Sequence, residues 1–202
     1  MEEITTQGLL SAEHRALREL HGSARQVESH WGKLAQRLGG DPATVLDEGA
    51  AVAGELLREL RVRIGDEHDL HGQPAAQAVG ARLAGARGLS DLVLERNQAF
   101  RFALLDLQHV TTLLGYTAAL ARTRGDVTLA AWLARWATRL AALEKRGRVA
   151  AAAMGADPED AIAPADEGPV GRVGARLGAV VGTVGEAIDA SPVGRLARRR
   201  AT

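Results

Sequence analysis

The chain has no cysteine, which excludes disulfides, thiolate nucleophiles and cysteine-ligated zinc. Aromatic residues make up only 3% of it, while hydrophobic residues reach 46%, much of that Ala and Leu. That balance favours close-packed helices over sheets. Charge of one sign is also lacking: 25 basic residues meet 25 acidic ones, so the whole chain offers no electrostatic case for a nucleic-acid partner. No run approaches the roughly 18 apolar residues of a transmembrane helix. The opening MEEITTQG lacks the basic and apolar regions of a signal peptide, and a cytoplasmic location is the expectation. No strand-borne glycine loop for phosphate and no G-x-S-x-G elbow is present.

What the chain does have is helical periodicity. Positions 10, 13, 17, 20, 24, 27, 31, 34 and 38 alternate by three and four, as a heptad seam does. Leu10, Leu17, Leu20, Ala24, Val27, Trp31, Leu34 and Leu38 fill all but one, and Glu13 puts a carboxylate where an apolar residue belongs. This predicts a helix over 7–38, stopped by Gly39 and Gly40. Asp41 and Pro42 read as N-cap and first-turn proline of a second helix with the stripe Leu46, Ala50, Ala53, Leu57, Leu60 and Ile64. So short a connection implies an antiparallel hairpin. After the loop GDEHDLHG (65–72), a short helix is expected over 74–86, carrying Val79 and Leu83.

The longest uninterrupted pattern runs from Leu89 to Arg124, with Ser90 as its cap. Phe100, Ala103, Leu107, Val110, Leu114 and Ala121 make one apolar face, and Phe102, Leu104, Leu105 and Leu113 a second. A helix apolar on so many sides is expected to lie enclosed among others. Asp126 should cap a fourth long helix, over 127–154, with the seam Leu129, Leu133, Trp136, Leu140, Leu143, Ala150 and Met154 and one gap at Gly147. LGGDPATV (38–45) and MGADPEDA (154–161) repeat one stop-and-restart signal.

The pattern divides the chain into a helical domain 1–155, an acidic, proline-containing linker 156–169 and a tail 170–202. In the tail, Gly174, Gly178 and Gly182 form a row beside Val170, Val173, Leu177, Val180, Val181, Val184 and Ile188. This predicts a Gly-rich amphipathic helix over 170–189, then a basic end. Each glycine costs a solvated helix about 1 kcal/mol against Ala, so that helix needs a surface to hold it. The candidates are its own bundle, another chain, or a membrane surface whose acidic headgroups meet Arg172, Arg176 and the Arg198–Arg200 run.

Few residues suggest chemistry. Asp106 and His109 put a carboxylate and an imidazole one turn apart on a helix. They read either as metal ligands or as a hydrogen-bonded polar pair between helices. Glu13 has the same two readings, a ligand or a seam carboxylate paired to an arginine. The loop with Asp66, Glu67, His68, Asp69 and His71 has the composition of a zinc or nickel site and equally of a solvated loop. His14 and His21 stand seven apart on the first helix, where surface imidazoles are the plainer reading. Trp132 and Trp136, one turn apart, read as core or interface anchors.

LLSAEHRAL (9–17) resembles the first helix of small bacterial ferritin-like stress proteins, and QHVTTLLGY (108–116) resembles their third. Two long hairpins joined by an extended link also look like that superfamily, over residues 7–155. The resemblance implies an all-α fold: an antiparallel four-helix bundle of ferritin-like layout, here followed by the Gly-rich C-terminal helix. It also implies a shared metal centre, for which Glu13, Asp106 and His109 are the candidate ligands and iron the metal. Glu48, Glu55 and Glu59 on the second helix and Glu144 on the fourth come with no histidine on either helix. A two-iron centre needs about six protein ligands, so the expected function is a non-enzymatic, self-associating helical scaffold or interaction protein without a cofactor. A metal-binding oxidase or iron store is the alternative. A membrane-peripheral adaptor is another, as is a shell cargo, because PVGRLARR (192–199) resembles encapsulin cargo peptides.

Overall fold

The computed structural model describes residues 9–65 and 94–165. Within them the chain is all-helical, with five helices packed together and no strand. They are α1 (Ser11–Leu38), α2 (Gly40–Leu60), α3 (Arg96–Arg124), α4 (Val127–Ala153) and the short α5 (Pro158–Ile162). A π-helical turn, Arg61–Gly65, extends α2, and a 3-10 turn, Met154–Ala156, extends α4. The expected helix over 74–86, the Ser90 cap, the 65–72 loop from Asp66 onward and the tail 170–202 lie outside the described residues.

The α1 seam is buried as its spacing predicts: Glu13, Leu17, Leu20, Ala24, Val27, Trp31, Leu34 and Leu38 are each at most 1% exposed. Leu10 is outside it, at the exposed entrance to the helix. The turn into α2 differs from expectation. Gly39 and Gly40 both have positive φ, and α2 restarts at Gly40 with Gly39 as its cap. Asp41 therefore stands in the first turn and caps nothing. The second copy of the signal behaves as expected: the Asp157 side chain accepts from Asp160 N at 3.1 Å, and Pro158 opens α5. Asp126 likewise caps α4, accepting from Leu129 N at 2.8 Å.

Polar contacts between helices fix their directions. Arg96, at the start of α3, donates to the Leu38 carbonyl at the end of α1. Arg124, at the end of α3, pairs with Glu13 at the start of α1. So α1 and α3 are antiparallel. Trp132, early in α4, donates to Glu59 late in α2, and Arg146, late in α4, pairs with Glu48 early in α2. So α2 and α4 are antiparallel too. With α1/α2 and α3/α4 packed as hairpins, α2 and α3 must run the same way. The end of α2 and the start of α3 therefore stand at opposite ends of the molecule.

The core is apolar and filled. Trp31 lies fully buried across Gly49 of α2, so closely that a Cβ there would stand 2.3 Å from two of its ring carbons. The seam gap at Gly147 is occupied by Leu104 of α3, which a Cβ would meet at 2.4 Å. Residues 156–165, expected as loop-like linker, pack back on α3. Arg96 N donates to Ala163 O at 2.8 Å, Ala165 N donates to Leu94 O at 3.0 Å, and Ala165 is 1% exposed. The start of the acidic stretch thus belongs to the folded body.

Two glycine substitutions should move stability in opposite directions. Gly49→Ala should cost about 1–3 kcal/mol, because the Trp31 ring has no room to give way. Gly22 sits mid-helix in α1 with nothing within 4 Å of an added Cβ, so Gly22→Ala should stabilise by about 0.5–1 kcal/mol. Urea denaturation of the two variants checks the signs.

Candidate functional site

The residues singled out for metal binding lie apart. Glu13 is fully buried at the α1 N-terminus and engaged on both oxygens. Arg124 Nε donates to its Oε2 at 2.8 Å and Nη2 to its Oε1 at 3.0 Å. The same Nη2 donates to Asp126 Oδ2 at 3.0 Å, so one guanidinium joins α1 to the α3–α4 turn. The hydrogen bonds to Glu13 push the Arg124 pKa up, and it stays charged. Two parallel N–H···O bonds are the strong, directional form of this pair.

Asp106 and His109 diverge although they are one turn apart. Asp106 is buried and faces His30 of α1, with Oδ2 and Nδ1 3.9 Å apart. His109 is about half exposed and stands 3.2 Å from Glu19 Oε1 on the outer edge of α1. Two further buried polar side chains, Thr117 and Glu144, have partners within their own helices. Thr117 Oγ1 donates to Leu113 O at 2.7 Å, and Glu144 pairs with Arg148 one turn on. Among the described residues no three His, Asp or Glu side chains gather as a metal site. The donor set does not fit a two-iron centre. His14 and His21 are each half-buried on α1.

Glu59 is one of three glutamates on the second helix, and nothing in the sequence marks it. In the structure its Oε2 accepts from both Trp132 Nε1, at 2.7 Å, and Trp136 Nε1, at 3.0 Å. These two hydrogen bonds hold its carboxyl below its ordinary pKa. Arg63 and Arg139 stack over the two indoles, 5.4 and 4.9 Å from the ring centres. The tryptophans are anchors of the α2–α4 contact, as their spacing suggested, and the carboxylate satisfies both indole N–H groups at the rim. His30 was missed as well; its only sequence signal is its place beside the seam residue Trp31.

The outer face of α3 carries exposed apolar side chains. Phe102 is 45% exposed, Leu105 51% and Tyr116 51%, although the opposite face, with Phe100, Leu107 and Leu114, closes the core. Phe102, Leu105, His109, Thr112 and Tyr116 follow at spacings of three and four, so they form one stripe. The His109–Glu19 contact puts the stripe on the side of α3 that borders α1. Among the described residues α1, α4 and the short α5 pack on α3, and its second apolar face is divided: Leu104 and Leu113 are buried while Phe102 and Leu105 are about half exposed. Single exposed apolar side chains are ordinary, and here three of them share one stripe of one helix. No helix among the described residues is long and apolar enough to cross a membrane.

The scattered donors lead to a direct expectation for iron. Protein purified from iron-supplemented cells should hold none in stoichiometric amount by elemental analysis. About two irons per chain, the complement of a di-iron bundle, would contradict this reading of Glu13, Asp106 and His109.

No protein-family model, curated protein or solved structure matches this chain, so its function is read from its own geometry.

Proposed function

We propose that the chain is a non-enzymatic helical interaction protein, a four-helix bundle of ferritin-like layout that self-associates through the outer stripe of α3. The layout is supported by the helix directions. Two antiparallel hairpins whose middle helices run the same way need one long crossover, here residues 66–93, and a single long crossover is the mark of ferritin-like bundles. The non-enzymatic reading is supported by what the buried polar groups do: Glu13 pairs across to Arg124, Thr117 and Glu144 pair one turn away within their own helices, and Asp106 faces His30.

The observation that carries the interaction reading is the stripe of Phe102, Leu105 and Tyr116, half exposed on a helix whose other face is fully buried. It is long enough to seat a helix at spacings i, i+3, i+7 and i+14, the usual way one apolar helix face takes another. Self-association is the simplest use of such a patch, since a two-fold axis lets one surface serve both partners.

Sedimentation velocity on the full chain tests this. Its weight-average mass should rise with concentration, and Leu105→Asp should keep it at the mass of one chain while the helical content stays the same. Equal masses for the two proteins at every concentration would contradict the proposal.

A further inference from the structure

We propose that the chain's own tail, residues 170–188, packs along the outer stripe of α3 and covers it until a partner displaces it. The inference rests on reading that stripe as a docking surface and names its resident occupant. Where the described chain ends is the first argument. Ala165 is buried and hydrogen-bonded to Leu94, two residues before α3 begins, so the tail starts at the N-terminal end of α3. Phe102 is six residues further, about 9 Å along the axis, and residues 166–169 span up to roughly 13 Å when extended. The tail therefore reaches the head of the stripe without strain.

Length and pattern agree with that path. As a helix, 170–188 is about 28 Å long, against about 21 Å from Phe102 to Tyr116. Its apolar residues and the row Gly174, Gly178 and Gly182 together fill one broad side, and Arg172 and Arg176 fall opposite them. The glycines leave room for large side chains to seat against a backbone, and the stripe offers such side chains in Phe102, Leu105 and Tyr116. The segment's only acidic residue, Glu186, and Asp189 just past it come at its end. That end arrives toward the C-terminus of α3, beside the start of α1, where Arg15 is exposed one turn before Glu19. A membrane is a poorer match, because those carboxylates would meet anionic headgroups. The short tether also favours the chain's own stripe over that of a second copy, since the local concentration of a tethered segment is in the millimolar range.

Hydrogen exchange on the full chain tests the proposal, in wild type, Leu105→Asp, Tyr116→Ser and Gly178→Leu. In wild type, amides 173–188 should exchange at least about tenfold slower than in an unstructured chain. Each stripe variant and Gly178→Leu should abolish that protection while α1 and α4 keep theirs. An unprotected tail in wild type overturns the proposal. So does protection that survives both stripe variants, that grows with protein concentration, or that requires phosphatidylglycerol vesicles; these outcomes put the tail on another surface, on a second copy or on lipid. Gly178→Leu should also strengthen self-association, by uncovering the stripe. A stripe-protected tail in a protein that is monomeric at every concentration leaves this inference standing and removes self-association. An unprotected tail, with Leu105→Asp still blocking self-association, does the reverse.

Discussion

The buried pair of Glu13 and Arg124 sets the arrangement on which the other contacts depend. It ties the first turn of α1 to the last turn of α3, residues 111 apart in sequence. A carboxylate with no exposed surface is costly unless it is fully paired, and here both oxygens accept from one guanidinium. Arg124 also holds Asp126, which caps α4, so the same cation fixes where the second hairpin turns. At the other end of the molecule Arg96 reaches the last carbonyl of α1. Between these two points the direction and register of α3 along α1 are determined, and α4 follows through the hairpin.

Within that frame the interior among the described residues is filled by apolar side chains. Trp31 over Gly49 and Leu104 over Gly147 occupy the places where a bundle would otherwise open between its helices. The polar groups that do enter the interior mostly pair across helix contacts: Glu13 with Arg124, and His30 beside Asp106. A core built this way confers a defined shape, and the shape presents an apolar row on α3 outside. The fold holds that row in place, because α3 is fixed along one side by α1 and α4 and at its N-terminus by the chain around Ala165.

The seams of α1 and α4 were legible in the sequence because each is one face packed on one side, the case in which spacing and burial coincide. The Asp126 and Asp157 caps were legible for the same local reason. Asp41 was not, because Gly40 stands where the second motif has Ala156; its positive φ lets the helix begin before the aspartate. Spacing on α3 identified two apolar faces but not their fates, since a buried face and an exposed one obey the same period. The contacts of Glu13, Asp106 and His109 were hidden for another reason. Neighbours three apart on a helix can turn to different partners, and whether Glu13 meets an arginine or a metal depends on a residue far along the chain.

The measurement that tests the structural role of Glu13 most directly is a double-mutant cycle on the Glu13–Arg124 pair. Unfolding free energies are compared for wild type, Glu13→Leu, Arg124→Leu and the double variant. Arg124→Leu strands the buried Glu13 carboxylate and should cost about 3–5 kcal/mol, while Glu13→Leu leaves Arg124 its second partner, Asp126, and should cost less. The double change, which strands none, should cost less than the sum of the two by about 2 kcal/mol or more. Single costs that add to within about 0.5 kcal/mol would show that the two residues act independently and that this contact does not hold the hairpins together.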